Sequence, residues 1–182
     1  MRPGKIMKHF TTKDGLKVVL RAPKWEDLDG LLELINSLVN EGAEISRNKR
    51  TTREEEIDWL ASLLARMEKG RTSFLVAEVG GKVVASSDVN PQMGYERHVG
   101  GIGIVVKQGY RDEGIGTEIM GTQIDLSKKM KLEVLTLTAF ASNKRAIHVY
   151  EKVGFVRTGM IPKKHFKDGK YIDEVIMTNF LG

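Results

Sequence analysis

The stretch Gly109-Tyr110-Arg111-Asp112-Glu113-Gly114-Ile115-Gly116-Thr117 decides the fold of this 182-residue chain. An apolar, β-branched run, Ile102–Val106, precedes it and predicts a buried strand, while apolar residues at helical spacing follow it as far as Met130. The stretch is therefore the turn between a strand and a helix. Such a turn aims the unpaired N–H groups of the first helical residues at whatever lies above it, and the helix dipole makes an anion the favoured ligand. Two glycines in the turn allow a phosphate to approach the backbone closely.

Two common phosphate-binding motifs do not fit this turn. A P-loop has Gly-Lys-Ser/Thr after four variable residues, whereas Gly114 is followed by Ile115-Gly116. A dinucleotide-binding fingerprint needs a third glycine further along, and Thr117-Glu118-Ile119 contains none. The sequence therefore argues against a nucleoside triphosphatase and against a Rossmann domain.

Length and composition indicate one soluble domain that spans residues 1–182, with a loosely ordered start over residues 1–15 that has room for one extended piece. The chain has no cysteine, which excludes disulfides, thiolate metal sites and a cysteine nucleophile, and we expect no metal cofactor. The absence of a long apolar run and of a signal-peptide core predicts a cytoplasmic protein without a membrane partner. The net charge is +5, but the basic residues are spread along the chain, so we expect no nucleic-acid partner.

The order of predicted elements gives an α/β fold with one mixed sheet of about six to seven strands. A helix is predicted from Trp25 to Val39, and a second helix begins at a capping box formed by Thr52 and Glu55. Gly80-Gly81 between two apolar runs predicts a β-hairpin. The strands on either side of the helix that follows the glycine turn must be parallel, because a strand–helix–strand crossover requires it.

A second motif lies after the strand that follows this helix. It reads Asn143-Lys144-Arg145-Ala146-Ile147-His148-Val149-Tyr150-Glu151-Lys152-Val153-Gly154-Phe155. Asn143 and Tyr150 are seven residues apart, close to two helical turns, so both point to the same side. Taken singly, Asn143 fits a helix N-cap and Tyr150 fits a core tyrosine.

Together the two motifs resemble those of the Gcn5-related N-acetyltransferase (GNAT) superfamily. Its pyrophosphate loop, Arg/Gln-x-x-Gly-x-Gly/Ala, is matched from Arg111 to Gly116, and its pattern Asn-x-x-Ala-x-x-x-Tyr-x-x-x-Gly-Phe is matched from Asn143 to Phe155. The resemblance spans residues 101–155. It implies a single GNAT-like domain with a mostly antiparallel mixed sheet, a splayed parallel pair of strands and flanking helices.

The resemblance also implies acetyl-CoA as co-substrate, with its pantetheine arm between the splayed strands and its pyrophosphate on the glycine turn. Lys107, Lys144 and Arg145 are candidates for the ribose phosphate. The residues implied to contact the co-substrate are Ile104, Val105, Val106, Arg111, Asp112, Glu113, Gly114, Ile115, Gly116, Thr117, Asn143, Arg145 and Tyr150.

The implied reaction is direct transfer of the acetyl group to an amine. A backbone N–H of the splayed strand, such as that of Val106, would stabilise the acetyl oxygen. Tyr150 resembles the general acid that protonates the leaving thiolate. Asp112 and Glu113 depart from the family pattern, in which these positions are often basic, and they would weaken pyrophosphate binding unless they point away.

The general base is a second departure from the family pattern. Positions where members carry a glutamate fall near Gly100 and Thr138 in this chain. The remaining candidates are His98, Glu96 and Asp88. We predict His98 as the catalytic base, because its pKa is suitable without help and because period-two parity places it on the strand face of Gly100. A water-mediated base is the alternative.

The acceptor site in this family lies between the first two helices, the loop that joins them and the last hairpin. In that loop Glu41 and Glu44 are candidates for binding a cationic amine. We expect a small-molecule primary amine, such as an amino acid or a polyamine, as acceptor. The alternatives are a protein N-terminus or lysine and, in a different class, a CoA-binding sensor without turnover. Family relatives also suggest a homodimer.

Overall fold

A computed structural model describes all residues, 1–182, and contains one eight-stranded sheet and four α-helices. The strand order is β1-β2-β3-β4-β5-β6-β8-β7, and β5–β6 is the one parallel pair. The fold class is therefore confirmed, although the sheet has eight strands and not six to seven. The strands are β1 (Ile6–Thr11), β2 (Lys17–Arg21), β3 (Ser73–Val79), β4 (Lys82–Pro91), β5 (Val99–Val106), β6 (Val134–Phe140), β7 (Val156–Lys167) and β8 (Lys170–Phe180). The helices are α1 (Leu28–Asn40), α2 (Arg53–Glu68), α3 (Ile115–Lys129) and α4 (Lys144–Lys152).

The eighth strand is β1, which lies within the segment where we expected a loosely ordered start. It pairs with β2 in antiparallel register, from Ile6 opposite Arg21 to Thr11 opposite Lys17. Most of its side chains are exposed, because it forms one edge of the sheet. Its apolar residues Ile6, Met7 and Phe10 do not alternate with polar ones, so the strand leaves a weak pattern in the sequence.

Local sequence signals position several other elements as predicted. Gly80 and Gly81 have φ of +56° and +80° and form the tight β3–β4 turn. Thr52 Oγ1 accepts from Glu55 N at 3.2 Å, and Glu55 Oε2 accepts from Thr52 N at 2.8 Å, so α2 begins at the predicted capping box.

The start of the first helix differs from the prediction. The α-helix begins at Leu28, after a one-turn 3₁₀ helix over Trp25–Asp27. The buried Asp27 carboxylate holds that turn, because it accepts from Arg21 Nη1 and Nη2 at 2.6 and 2.7 Å and from Lys24 N at 2.9 Å. The charge pair with β2 therefore sets the entry to α1.

The helices pack on both faces of the sheet. On one face α3 packs against β3, β4 and β5, and α4 packs against α3. On the other face α1 contacts both α2 and β4. The core between these helices and the sheet includes Leu31, Leu34, Leu60, Leu63, Phe74 and Val76.

The parallel pair β5–β6 is joined over only part of its length. Val99–Gly101 pair with Val134–Thr136, and no later residue of β5 has a partner in β6. The two strands begin close together because Gly100 has no side chain. A Cβ there would lie 2.8 Å from Leu132 Cδ1 and 3.0 Å from Leu135 Cδ2. The expected parallel pair is therefore present, and it opens into a gap after Gly101.

Hydrogen-bond parity determines which backbone groups of β5 face this gap. Lys107 N donates to Val84 O at 2.9 Å and Gln92 N donates to Val99 O at 2.8 Å, so odd-numbered residues of β5 bond to β4. The backbone groups of the even-numbered residues point the other way. Those of Ile104 and Val106 therefore face the gap without a partner strand.

Candidate active site

A cavity of about 1410 Å³ lies at the gap between β5 and β6. We call its two walls the turn side and the loop side. The turn side comprises Tyr110–Thr117, between β5 and α3, together with α4 from its N-cap Asn143 to Tyr150. The loop side comprises α1, α2, the segment that joins them, and the parts of β3 and β4 beneath them. The predicted glycine turn and the predicted tyrosine therefore line one continuous cavity.

The glycine turn has the geometry of an anion site. Gly114 is the N-cap of α3 and has φ of +80°, a conformation that favours glycine. The first N–H to donate within α3 is that of Glu118, which bonds to Gly114 O at 3.0 Å. The N–H groups from Gly114 to Thr117 therefore have no partner in the chain. A Cβ built on Gly114 meets no atom within 4 Å, so open space lies beside the turn, where the free N–H groups favour an anion.

The charged side chains of the turn are paired within the protein. Arg111 Nε donates to Val106 O at 2.9 Å, and its guanidinium also pairs with Glu41. Asp112, at φ +65°, pairs with Arg145, with 3.3 Å between Oδ1 and Nε. Glu113 does not line the cavity. Of the two acidic residues that depart from the family pattern, Asp112 is thus paired with a cation and Glu113 lies outside the cavity lining.

Tyr150 and Asn143 both line the cavity from α4. Asn143 Oδ1 accepts from Ala146 N at 3.2 Å and caps the helix. Tyr150 is 7% exposed, packs against Phe155, and its hydroxyl has no hydrogen-bond partner in the chain. Burial raises the pKa of Tyr150 to about 12. The phenol is therefore protonated at neutral pH and free to donate into the cavity.

The structure does not bring His98 to the cavity. His98 precedes β5 in an exposed turn, and the cavity is lined by β5 only from Ile102 onward. The parity that placed its side chain with Gly100 does not apply, because the strand begins at Val99. Glu96 is exposed in the 3₁₀ turn Gly94–Glu96 and also lies outside the cavity. Of the three side chains considered as base, Asp88 alone lines it.

The predicted amine ligands Glu41 and Glu44 belong to a strap, residues 41–47, that lines the loop side. Glu41 pairs with Arg111 of the glycine turn, and Glu44 accepts from Ser142 Oγ. Lys167 Nζ donates to Gly42 O. These contacts join the strap to the glycine turn, to the β6–α4 connection and to β7. The two carboxylates therefore already have partners within the chain.

Other groups of the acceptor region were not found from the sequence. Trp59 meets Phe74 edge-on, with 5.4 Å between ring centroids, and both line the loop side. Glu56 of α2 is buried there, and this burial raises its pKa although Arg47 opposes the rise. These residues come together only through the packing of α2 on β3, which no local pattern reveals.

A second cluster faces them across the cavity. His165 stacks on Phe140 at 3.8 Å, and its Nε2 lies 3.2 Å from Glu174 Oε1 without the orientation of a hydrogen bond. All three side chains line the cavity. Across the whole chain, no group of three or more His, Cys, Asp or Glu side chains could hold a metal ion. None of the helices has the length and apolar content needed to span a membrane.

Comparison with known proteins agrees with this architecture. The model of the Acetyltransferase (GNAT) family matches residues 33–155. The L-amino acid N-acetyltransferase AaaT of Escherichia coli is 31% identical over 105 residues, which cover 57% of this chain and 65% of that protein. The ribosomal-protein-alanine N-acetyltransferase of Brucella melitensis superposes with a TM-score of 0.78 at 26% identity, over 88% of this chain and 98% of that one.

A further solved structure contains the co-substrate. The Salmonella typhimurium protein yncA, solved with its cofactor acetyl-CoA, has the same fold, with a TM-score of 0.80 at 20% identity over 91% of this chain and 94% of that one. The chain therefore belongs to the GNAT acetyltransferase family of acyl-CoA-dependent N-acyltransferases, whose co-substrate is acetyl-CoA.

Proposed function

We propose that this protein transfers the acetyl group of acetyl-CoA directly to the primary amine of a small molecule, such as an amino acid or a polyamine. The observation that carries the proposal is the single cavity at the β5–β6 gap, which joins the anion site of the glycine turn to an acidic acceptor region. The Escherichia coli relative, an L-amino acid N-acetyltransferase, supports a small acceptor.

The turn side holds the co-substrate. The free N–H groups from Gly114 to Thr117 bind the pyrophosphate, and backbone groups of Ile104 and Val106 that have no partner in β6 bind the pantetheine arm. Arg145 is placed beside Asp112 at the rim, where it balances that carboxylate near the phosphates. When bound, acetyl-CoA supplies an activated acetyl group whose C–S bond breaks as the new C–N bond forms.

The chain supplies two groups to the reacting atoms. A backbone N–H of the open part of β5, at Ile104 or Val106, donates to the acetyl oxygen as negative charge develops on it. Tyr150 donates its hydroxyl hydrogen bond to the leaving sulfur. A phenol of pKa about 12 is a weaker acid than a thiol, whose usual pKa is about 8.5, so Tyr150 acts first as a hydrogen-bond donor to the thiolate.

The loop side favours a cationic acceptor. The carboxylates of Glu56 and Asp88 line it, Glu174 lines the cavity from β8, and none of the three has a strong ion pair to a lysine or arginine. Trp59 and Phe74 add apolar surface for the body of the substrate. Glu41 and Glu44, which we predicted as direct ligands, support the strap instead in this structure.

Release of free CoA thiol tests the proposal. The protein is incubated with acetyl-CoA and a panel of amino acids, polyamines and short peptides, and thiol is followed with a chromogenic reagent. We expect turnover with at least one small amine. Turnover with peptides alone would favour a protein N-terminus or lysine as acceptor, which the Brucella melitensis relative makes the second candidate. Tight CoA binding without thiol release from any amine would contradict the proposal.

A further inference from the structure

We propose that Asp88 is the general base, taking a proton from the ammonium group of the acceptor before attack on the acetyl carbon. This inference rests on the proposed function. It assigns the step for which His98 was predicted, and it follows from the position of one carboxylate relative to the open part of β5.

Asp88 lies on β4 directly opposite Gly103 of β5. Neighbouring strands are about 4.8 Å apart, so the carboxylate is one strand away from the edge of the gap. Gly103 is two residues beyond the last parallel pair, Gly101 with Thr136, and next to Ile104, whose backbone faces the gap. The carboxylate is therefore beside the point where the acetyl group ends its path along β5.

The absence of a side chain at Gly103 lets the carboxylate lean over β5. A Cβ built on Gly103 would lie 3.0 Å from Asp88 Oδ1, a tight contact that the carboxylate could relieve only by shifting. Gly101 is also bare, and its Cβ would meet only Gln92 Nε2 and Asn90 O, at 3.7 and 4.0 Å. Neither Gly101 nor Gly103 therefore places a side chain on the face of β5 next to Asp88.

Asp88 has no strong ion pair, unlike Glu41 and Asp112, which also line the cavity. Glu41 is held by Arg111 and Asp112 by Arg145, whereas Asp88 accepts from the neutral Asn90 amide. Arg66 of α2 reaches only Asn90, with 3.3 Å between Nη1 and Oδ1. A carboxylate held by a neutral partner remains available to accept a proton.

The groups packed around Asp88 are otherwise uncharged. Its neighbour on β3 is Phe74, its neighbour on β5 is Gly103, and β6 contributes Thr136 and Thr138 to the smaller cavity that Asp88 also lines. Burial raises the pKa of Asp88, which Asn90 and the charge of Arg66 partly oppose. A raised carboxyl pKa makes the proton transfer from an ammonium group less unfavourable.

The acceptor ammonium gives one proton to the Asp88 carboxylate, and the freed lone pair forms the C–N bond. The C–S bond breaks, and its electron pair leaves on sulfur, which accepts the hydrogen bond of the Tyr150 hydroxyl. The nitrogen loses a second proton as the amide forms, and this proton reaches the thiolate through water. One proton in total, that held by Asp88, returns to solvent in each turnover.

The experiment compares two kinds of acceptor in the wild type and Asp88→Asn. An alkylamine is an ammonium ion at pH 7 and needs a base, whereas an arylamine is already neutral. We expect Asp88→Asn to lower kcat/KM for the alkylamine by about 100-fold or more, and for the arylamine by less than about tenfold. Asp125→Asn, an exposed carboxylate on α3, is the control and should change neither. Acetyl-CoA affinity should stay the same in both variants.

Two further measurements keep the test decisive if Asp88→Asn folds poorly. In the wild type, kcat/KM for the alkylamine should fall as pH drops through the raised Asp88 pKa, more steeply than the arylamine value. Added formate should restore alkylamine turnover to Asp88→Ala. Equal turnover of wild type and Asp88→Asn with alkylamines overturns this assignment alone. A wild type that binds CoA but acetylates no amine overturns the proposed function and this assignment with it.

Discussion

Replacing Tyr150 with phenylalanine removes one oxygen atom from the wall of the cavity and leaves the ring in place. The side chain is 7% exposed and belongs to the core cluster that includes Ile147 and Phe155, so the variant keeps its packing. The hydroxyl has no partner within the chain, and its removal leaves no other group unpaired. The substitution therefore tests the chemistry of the hydroxyl separately from stability.

The expected loss follows from the hydrogen bond that we propose Tyr150 donates to the leaving sulfur. A hydrogen bond to a charged group contributes about 1.5–3 kcal/mol, which corresponds to a fall in kcat of about 10- to 150-fold. Single-turnover thiol release at saturating acetyl-CoA measures the chemical step directly. Tyr171→Phe, exposed on β8, is the matched control and should have wild-type kcat. A loss of less than about threefold in Tyr150→Phe would refute this role.

The pH dependence gives an independent check on Tyr150. Because burial raises its pKa to about 12, the hydroxyl stays protonated up to pH 10 and its donation is constant over that range. Titration of Tyr150 should therefore not lower the kcat of the wild type between pH 8 and 10. A fall of kcat in this range that is absent from Tyr150→Phe would mean that the tyrosine titrates far lower than its burial implies.

Three further substitutions probe the glycine turn, the acceptor region and the scaffold. Gly116→Leu should abolish CoA binding in calorimetry, because the new side chain occupies space at the glycine turn. The fold should be kept, since the Cβ itself makes only ordinary contacts. Unchanged affinity would contradict pyrophosphate binding at this turn. Glu56→Gln should raise Tm at pH 7, since burial raises the carboxyl pKa and disfavours the ionised form, and the gain should vanish below about pH 4, where the wild-type carboxyl is protonated in both states; equal gains at both pH values would count against this cause. Asp27→Ala should cost about 3–5 kcal/mol in denaturant unfolding, because it strips the buried Arg21 of a bidentate partner, and a cost below about 1 kcal/mol would show that Glu78 alone is sufficient.

Elements that depend on local chemistry could be predicted from the sequence. The Gly80-Gly81 turn and the Thr52–Glu55 capping box each involve neighbouring residues, and both lie where the sequence places them. The parallel β5–β6 pair followed from the chirality and length of one crossover. Strand β1 was not recognised as the eighth strand, because an exposed edge strand needs no apolar alternation.

The partners of site residues could not be predicted, because they are distant in the chain. Glu41 meets Arg111 across 70 positions and Glu44 meets Ser142 across 98, so the carboxylates looked free in the sequence. The position of His98 was mispredicted for a different reason. Side-chain parity holds only within a strand, and β5 begins one residue later. Asp88 was one candidate among three, and only the register of β4 on β5 places it beside the gap.

The split in the sheet has a mechanical consequence. β4 and β5 are joined by seven residue pairs and β6 and β8 by seven, but β5 and β6 by only three. Acetyl-CoA bound in the gap, as we propose, would contact both halves and so act as a removable cross-link between them. By linkage, a ligand that binds only the folded sheet stabilises it against opening. The stabilising free energy rises with the logarithm of the ligand concentration. Hydrogen exchange in β6–β8 should therefore slow on binding, far beyond the residues that the co-substrate touches.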